Sequence, residues 1–212
     1  MASGSLVSAS VVQTLLIVNG GMFLLELATG GQMIDALALW PLGLSTTSPY
    51  GAESQFAPWQ LVTYAFLHGG VMHLLLNMYA LWLFGSRMEA VWGAKTFALY
   101  YFVCVVGAGL VQLIVATQVA AEGGIYPTVG ASGGVFGLLL AFGMTFPDER
   151  LMLVFPPVVL QAKWFVVIYG AIELWAGVTG TEAGVAHFAH LGGMLFGFLL
   201  LHSWRRHPPA YR

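Results

Sequence analysis

The chain has 212 residues, of which 58% are hydrophobic and only 8% charged, with a formal net charge of -2. Soluble domains carry roughly a quarter charged residues, so this composition excludes an ordinary soluble protein, and the near-neutral balance argues against nucleic acid as a partner. The single cysteine, Cys104, lies in an apolar stretch and excludes a disulfide framework or a paired-cysteine metal site; a buried structural thiol is expected.

A bilayer crossing needs about 20 apolar residues, and about six candidate spans follow in chain order. They run over 11–28, 60–84, 96–119, 130–146, 163–177 and 184–204. The expectation is an all-α, polytopic bundle forming one membrane domain over 1–212. The uncharged stretch before Val11 lacks the positive region of a cleaved signal, so the first segment is read as a retained helix. All seven basic residues fall on one side: Arg87 and Lys95, Arg150 and Lys163, then Arg205, Arg206 and Arg212. The opposite loops carry Asp35, Glu53, Glu122 and Glu182, so the positive-inside rule predicts that both termini are cytoplasmic.

The long connection over 29–59 holds Trp40, Pro41, Tyr50, Phe56 and Trp59 with few charges, which suits the headgroup region, and is expected to be partly helical around Asp35 to Leu39. Arg87 and Glu89, before Gly93, are expected to tie down a cytoplasmic turn.

The densest chemical signal is Gly130-Ala131-Ser132-Gly133-Gly134-Val135-Phe136-Gly137. It matches the G-x-S-x-G elbow of α/β-hydrolases, but that motif needs a preceding strand, and residues 122–127 read as a turn-rich loop. Glycines spaced four apart also serve simple helix packing. Polar side chains inside a span mark function by default. Counting 1.5 Å per residue from the cytoplasmic loops puts Ser132 roughly 24 Å, His190 roughly 22 Å and His73 roughly 21 Å along their helices, with Asn77 one turn deeper. They share one layer, reached by water from outside.

His190, Gly193 and Gly197 recur on one stripe, predicting close approach to the glycine-rich fourth helix. An imidazole bonded to a serine hydroxyl is the minimum set for an activated nucleophile. No acid is obviously placed to orient it: Glu26 is expected near the outer end of the first helix and Glu173 near the bilayer middle, as an interhelical hydrogen-bonding residue that is protonated because a lone buried carboxylate resists ionising. His73 and Asn77, one helical turn apart, are candidate oxyanion donors together with the Ser132 amide. His187 is expected to be an interfacial histidine.

These residues carry a family resemblance. His68-x4-His73-x3-Asn77, Gly130-Ala131-Ser132-Gly133 and Ala189-His190-Leu191-Gly192-Gly193 followed by Gly197 occur in the order seen in rhomboid intramembrane serine proteases. The resemblance runs from about Trp59 to Phe198 by motif. It implies a minimal bacterial-type core of six helices in an inner membrane, cleaving membrane-anchored proteins without metal or other cofactor. It further implies a Ser132–His190 dyad, oxyanion stabilisation by His73 and Asn77, and a structural role for His68. Trp59-Gln60 stands where the family often has Trp-Arg, which leaves the anchoring of the outer loop open. Phe136 stands where some members carry tyrosine, and aromatic packing on His190 is expected to survive. A His-ligated metal protein, through His68, His73, His187 and His190, and an inactive relative that binds transmembrane segments are the competing readings.

Overall fold

The computed structural model describes residues 10–30, 32–43, 46–47, 53–124, 126–152, 157–180 and 186–206. Met1 to Ala9, Tyr50, Ile125, Glu182, Gly184 and Arg212, which entered the sequence reading, lie outside them. The helices are α1 Val11–Thr29, α2 Gln32–Leu37, α3 Gln60–Thr63, α4 Val71–Ala80, α5 Ser86–Trp92, α6 Ala94–Ala121, α7 Ser132–Thr145, α8 Ala162–Thr179 and α9 His187–Arg206. Two short antiparallel hairpins, Thr46–Thr47 with Glu53–Ser54 and Arg150–Met152 with Val159–Gln161, interrupt the expected all-helical pattern. Both lie in connections between helices.

Helices α1, α6 and α8 are long and apolar enough to cross a membrane. The expected continuous span over 60–84 is instead a broken pair, Gln60–Phe66 and Val71–Trp92, bent by 100°. Local backbone geometry and one long-range hydrogen bond mark the break. Leu67 is extended, Gly70 leaves helical geometry altogether, and the His68 amide donates out of the ladder to Glu26 Oε2 of α1 at 3.2 Å. A π-helical turn over Leu81–Gly85 then joins α4 to α5. The fourth apolar helix, α7, is 14 residues long, beginning at Ser132 and ending before Pro147, whose ring and missing N–H do not continue a helix.

Burial is inverted relative to a soluble protein. Ile17, Leu24, Leu76, Trp164, Trp175 and Val178 are exposed, while Asn19, Gln112, Glu173, His187 and His190 are buried. The core is built on α6, α7 and α9, with Tyr100, Tyr101, Cys104, Val105 and Leu138 at its centre. Cys104 is a buried free thiol there, packed where a side chain at Gly137 or Gly197 would stand.

At the opposite end from Ser132, Glu89 caps α1, accepting from the Ser10 hydroxyl at 2.6 Å and from the Val11 and Val12 amides at 2.7 and 3.0 Å. Two of the donors left over at the start of every helix are satisfied across the bundle. Arg87 lies 5.3 Å over the Phe146 ring, and Lys163 pairs with Asp148 at 2.7 Å. The turn that Arg87 and Glu89 were expected to tie down is therefore bound to both α1 and the end of α7.

Candidate active site

Ser132 is the first residue of α7, and a set of backbone bonds sets the loop that delivers it. Thr128 and Leu39 exchange N–H···O bonds at 3.0 Å in both directions, and the Gly130 amide donates to the Tyr64 carbonyl at 2.9 Å. Tyr64 is held in turn by its hydroxyl on the Val105 carbonyl, 2.8 Å away. Gly130 has φ +126°, a region L side chains rarely adopt, and a Cβ there would stand 2.8 Å from His73 Cε1 and Nε2. The glycine thus lets the His73 ring lie against the serine loop.

The outer connection is anchored by residues the sequence reading left open. Gln60 is buried, accepts from the Trp40 amide at 3.2 Å and donates to the Gln55 carbonyl at 3.1 Å. Trp59 donates from its indole to Ala36 O at 2.9 Å, and the Thr63 hydroxyl donates to Leu37 O at 2.7 Å. A neutral amide thus does the tethering where an arginine was the pattern for comparison. Trp40, expected at the headgroups, is instead buried with Ile34, Ala38 and Leu67. The helix expected around Asp35 forms over Gln32–Leu37.

Ser132 Oγ lies 2.8 Å from His190 Nε2. His190 sits in the first turn of α9, and Phe136, one turn into α7, stacks on it with ring centroids 4.2 Å apart and planes 4° from parallel. The approach of the two helices rests on glycine. A side chain at Gly193 would overlap the Gly133 carbonyl, and one at Gly133 would overlap Ala108 of α6. Gly197 departs from expectation: it faces α6, where a Cβ would meet Tyr100 Cζ at 3.0 Å and Cys104 Sγ at 3.1 Å. The stripe shared with His190 therefore divides between two neighbours, because α9 lies in the groove between α6 and α7.

The largest correction concerns Glu173. It is neither alone nor remote from the serine layer: Oε2 stands 2.8 Å from His190 Nδ1 and 2.7 Å from His187 Nδ1. His187 is likewise not an interfacial bystander but buried beside it. Counting rise from separate loops assumes untilted helices that start in one plane, and α8 does not meet that assumption. The ligand atoms of Glu173, His187 and His190 all lie within 4.8 Å of one another, close enough to hold a metal ion. The two hydrogen bonds satisfy the same atoms with protons.

The other predicted residues are gathered less tightly. His73 Nδ1 accepts from the Gly69 amide at 3.3 Å, and Asn77 Nδ2 donates to its own helix at the His73 carbonyl, 2.9 Å away. That bond occupies one of the two amide hydrogens of Asn77. His68 is buried edge-on to His73, ring centroids 5.2 Å apart, with the Phe66 backbone as its polar neighbour. The amides of Ser132 and Gly133 belong to the first turn of α7, which has no acceptors within its own helix.

A serine at a helix start, a histidine in hydrogen-bond contact with it and glycine-tight helices around them form one cluster in an apolar bundle. The comparisons with known proteins place the chain in a family. Residues 55–206 match the Rhomboid domain model, and the chain belongs to the rhomboid family. It is 36% identical over 143 residues to RHOMBOID-like protein 4 of Arabidopsis thaliana, covering 67% of this chain and 33% of that protein. It is 33% identical over 141 residues to Rhomboid protein 1, mitochondrial, of Saccharomyces cerevisiae (66% and 39%). It is 31% identical over 164 residues to Presenilin-associated rhomboid-like protein A, mitochondrial, of Danio rerio (72% and 40%). The matched region spans about a third to two fifths of these relatives. The protein is a membrane protein; two of the three relatives bear mitochondrial names and the third is a plant protein, so the matches give no support to a bacterial inner membrane in particular.

Proposed function

We propose that this chain is an intramembrane serine endopeptidase that cleaves transmembrane or membrane-anchored proteins, with Ser132 as nucleophile and His190 as base. The observation that carries the reading is the 2.8 Å contact between Ser132 Oγ and His190 Nε2, at a helix start and walled by apolar helices. Family membership supports membrane proteins as the substrate class. The reading takes 1–212 as one domain of six spans with both termini cytoplasmic, supported by the one-sided placement of Arg87, Lys95, Lys163 and Arg205.

Each step follows from the contacts. His190 Nε2 takes the hydroxyl proton as Ser132 Oγ bonds to the scissile carbonyl carbon. The negative charge that moves to the carbonyl oxygen meets the first-turn amides of α7, with His73 and Asn77 on the adjoining helix. As the tetrahedral adduct collapses, the C–N bond breaks and the leaving amine takes the proton from His190. Water then adds to the acyl carbon as His190 accepts one of its protons; the C–O bond to Ser132 Oγ breaks, Oγ takes that proton back from His190, and the substrate leaves with a new carboxyl terminus. An apolar surround makes the fixed dipoles around the adduct stronger than they would be in water.

A direct test reacts the detergent-solubilised protein with a fluorophosphonate and assays a model transmembrane substrate in parallel. Labelling and cleavage are expected in the wild type and absent in Ser132→Ala. A folded wild type that neither labels nor cleaves is the outcome expected of the inactive, segment-binding reading. The closeness of Glu173, His187 and His190 supports a second reading, a metal protein. Loss of cleavage on chelation, restored by zinc, would favour it.

A further inference from the structure

We infer that Glu173 is a positioning residue for His190, extending the serine–histidine pair into a three-membered hydrogen-bonded chain, and that His187 holds the carboxylate in place. The inference rests on the hydrolase reading above and adds to it an acid from a third helix. Glu173 Oε2 is 2.8 Å from His190 Nδ1, while the other nitrogen of that ring, Nε2, is 2.8 Å from Ser132 Oγ. The carboxylate, the ring and the hydroxyl form one continuous line across α8, α9 and α7.

An ionised carboxylate only accepts, so both imidazole nitrogens that touch it must carry hydrogen. For His190 this selects the tautomer protonated at Nδ1 and leaves the Nε2 lone pair directed at the serine hydroxyl. The opposite tautomer would present an N–H to Oγ and could not take its proton. When the proton does transfer, the imidazolium forms 2.8 Å from the carboxylate, in surroundings where opposite charges attract more strongly than in water.

His187 explains how a carboxylate is kept among apolar helices. It lies one turn before His190, its Nδ1 is 2.7 Å from the same Oε2, and its ring is nearly perpendicular to that of His190, at 84°. Its Nε2 is buried with no partner among the described residues, which fits a neutral ring whose one hydrogen is on Nδ1. Two donors converging on one oxygen offset the cost of removing that carboxylate from water. Packing sets the distance. Gly177, one turn beyond Glu173, is close enough to α9 that a Cβ there would stand 3.1 Å from the Phe188 ring and 3.2 Å from His187 Cβ. The acid therefore reaches His190 only while α8 is docked on α9.

The test combines kinetics with a direct reading of the rings in the full chain. In wild-type protein labelled with nitrogen-15 histidine, His190 and His187 should both be protonated at Nδ1, each with a strongly downfield proton. Glu173→Gln should lose the His190 signal and lower kcat about 100- to 10,000-fold with little change in KM, slowing fluorophosphonate labelling in step. Glu173→Asp should recover part of that rate. A contact serving only to hold α8 against α9 would lower the folded fraction and leave kcat per labelled molecule unchanged. That result in Glu173→Gln, or a His190 protonated at Nε2 in the wild type, would overturn the proposal, and the second is read without any variant having to fold. Loss of labelling in Ser132→Ala alongside full activity in Glu173→Gln would remove Glu173 and leave the serine reading standing. A wild type that carries both Nδ1 protons but never labels would overturn the serine reading and the catalytic role of Glu173 with it, leaving only the hydrogen bonds between Glu173 and the two histidines.

Discussion

The molecule has two pairs of neighbouring histidines, and they are built in opposite ways. His187 and His190 share one carboxylate oxygen from another helix, and His190 uses its remaining nitrogen on Ser132. His68 and His73 meet edge to face at the break between α3 and α4, where His68 has the Phe66 backbone as its polar neighbour and His73 Nδ1 accepts from the nearby Gly69 amide. The first pair shares an acceptor brought from another helix; the second has none and is set by ring packing and its own neighbouring backbone. Accepting from a fixed N–H selects a tautomer as surely as donating does, so the Gly69 amide leaves the His73 hydrogen on Nε2.

The largest effect should come from cutting the first pair. His190→Ala, like Ser132→Ala, is expected to reduce cleavage of a transmembrane substrate to background with the helix content preserved by circular dichroism. Full turnover in either purified variant would rule out the serine mechanism.

Next in size is the second pair's side of the reaction. Removal of one well-placed oxyanion donor costs about 100- to 1000-fold, so His73→Ala and Asn77→Ala should lower kcat more than KM. Asn77 bonds back to its own helix through one amide hydrogen, so a loss of activity matched entirely by a fall in the folded fraction would make it a helix-packing residue instead.

The glycine contacts sharpen the comparison further. Gly193→Leu should push α9 from α7, and a shift near 1 Å can cost about 100-fold in rate. Gly197→Leu presses on α6, so it should lower thermal stability more than labelling per folded molecule; equal labelling losses in both would return Gly197 to the α7 face. A bulky residue at the exposed Leu195 should be tolerated.

The smallest effects test the histidines by shape. His68→Phe keeps the buried ring and gives up only its contact with the Phe66 backbone, so it should leave cleavage near wild type and lower the melting temperature slightly, by the roughly 1 kcal/mol of one net hydrogen bond or less. His187→Phe should slow cleavage several-fold, because Glu173 loses one of its two donors. Chelators are expected to change neither. If His68→Phe were the more damaging of the two, the division between the pairs would fail.

Much of this was legible in the chain itself. Composition alone called for a membrane protein, and the order of the Ser132, His73-to-Asn77 and His190 motifs called for a rhomboid, because each motif is local and its spacing survives any tilt of the helix that carries it. Phe136 stacking on His190 was foreseeable through the family resemblance, since Phe136 stands where some members carry a tyrosine. Three features depended on tertiary structure. The 100° break is bridged by a hydrogen bond from the His68 backbone N–H, in the break itself, to the Glu26 carboxylate of α1, and hydropathy does not register such a contact. The division of α9's glycines between α6 and α7 depended on which groove the helix entered. The acid was the least visible of all. Glu173 lies 41 residues after Ser132 in the chain and its partners lie on the next helix, so only the docking of α8 against α7 and α9, with Ala162 and Val166 set at Gly143, could bring the glutamate to two histidines.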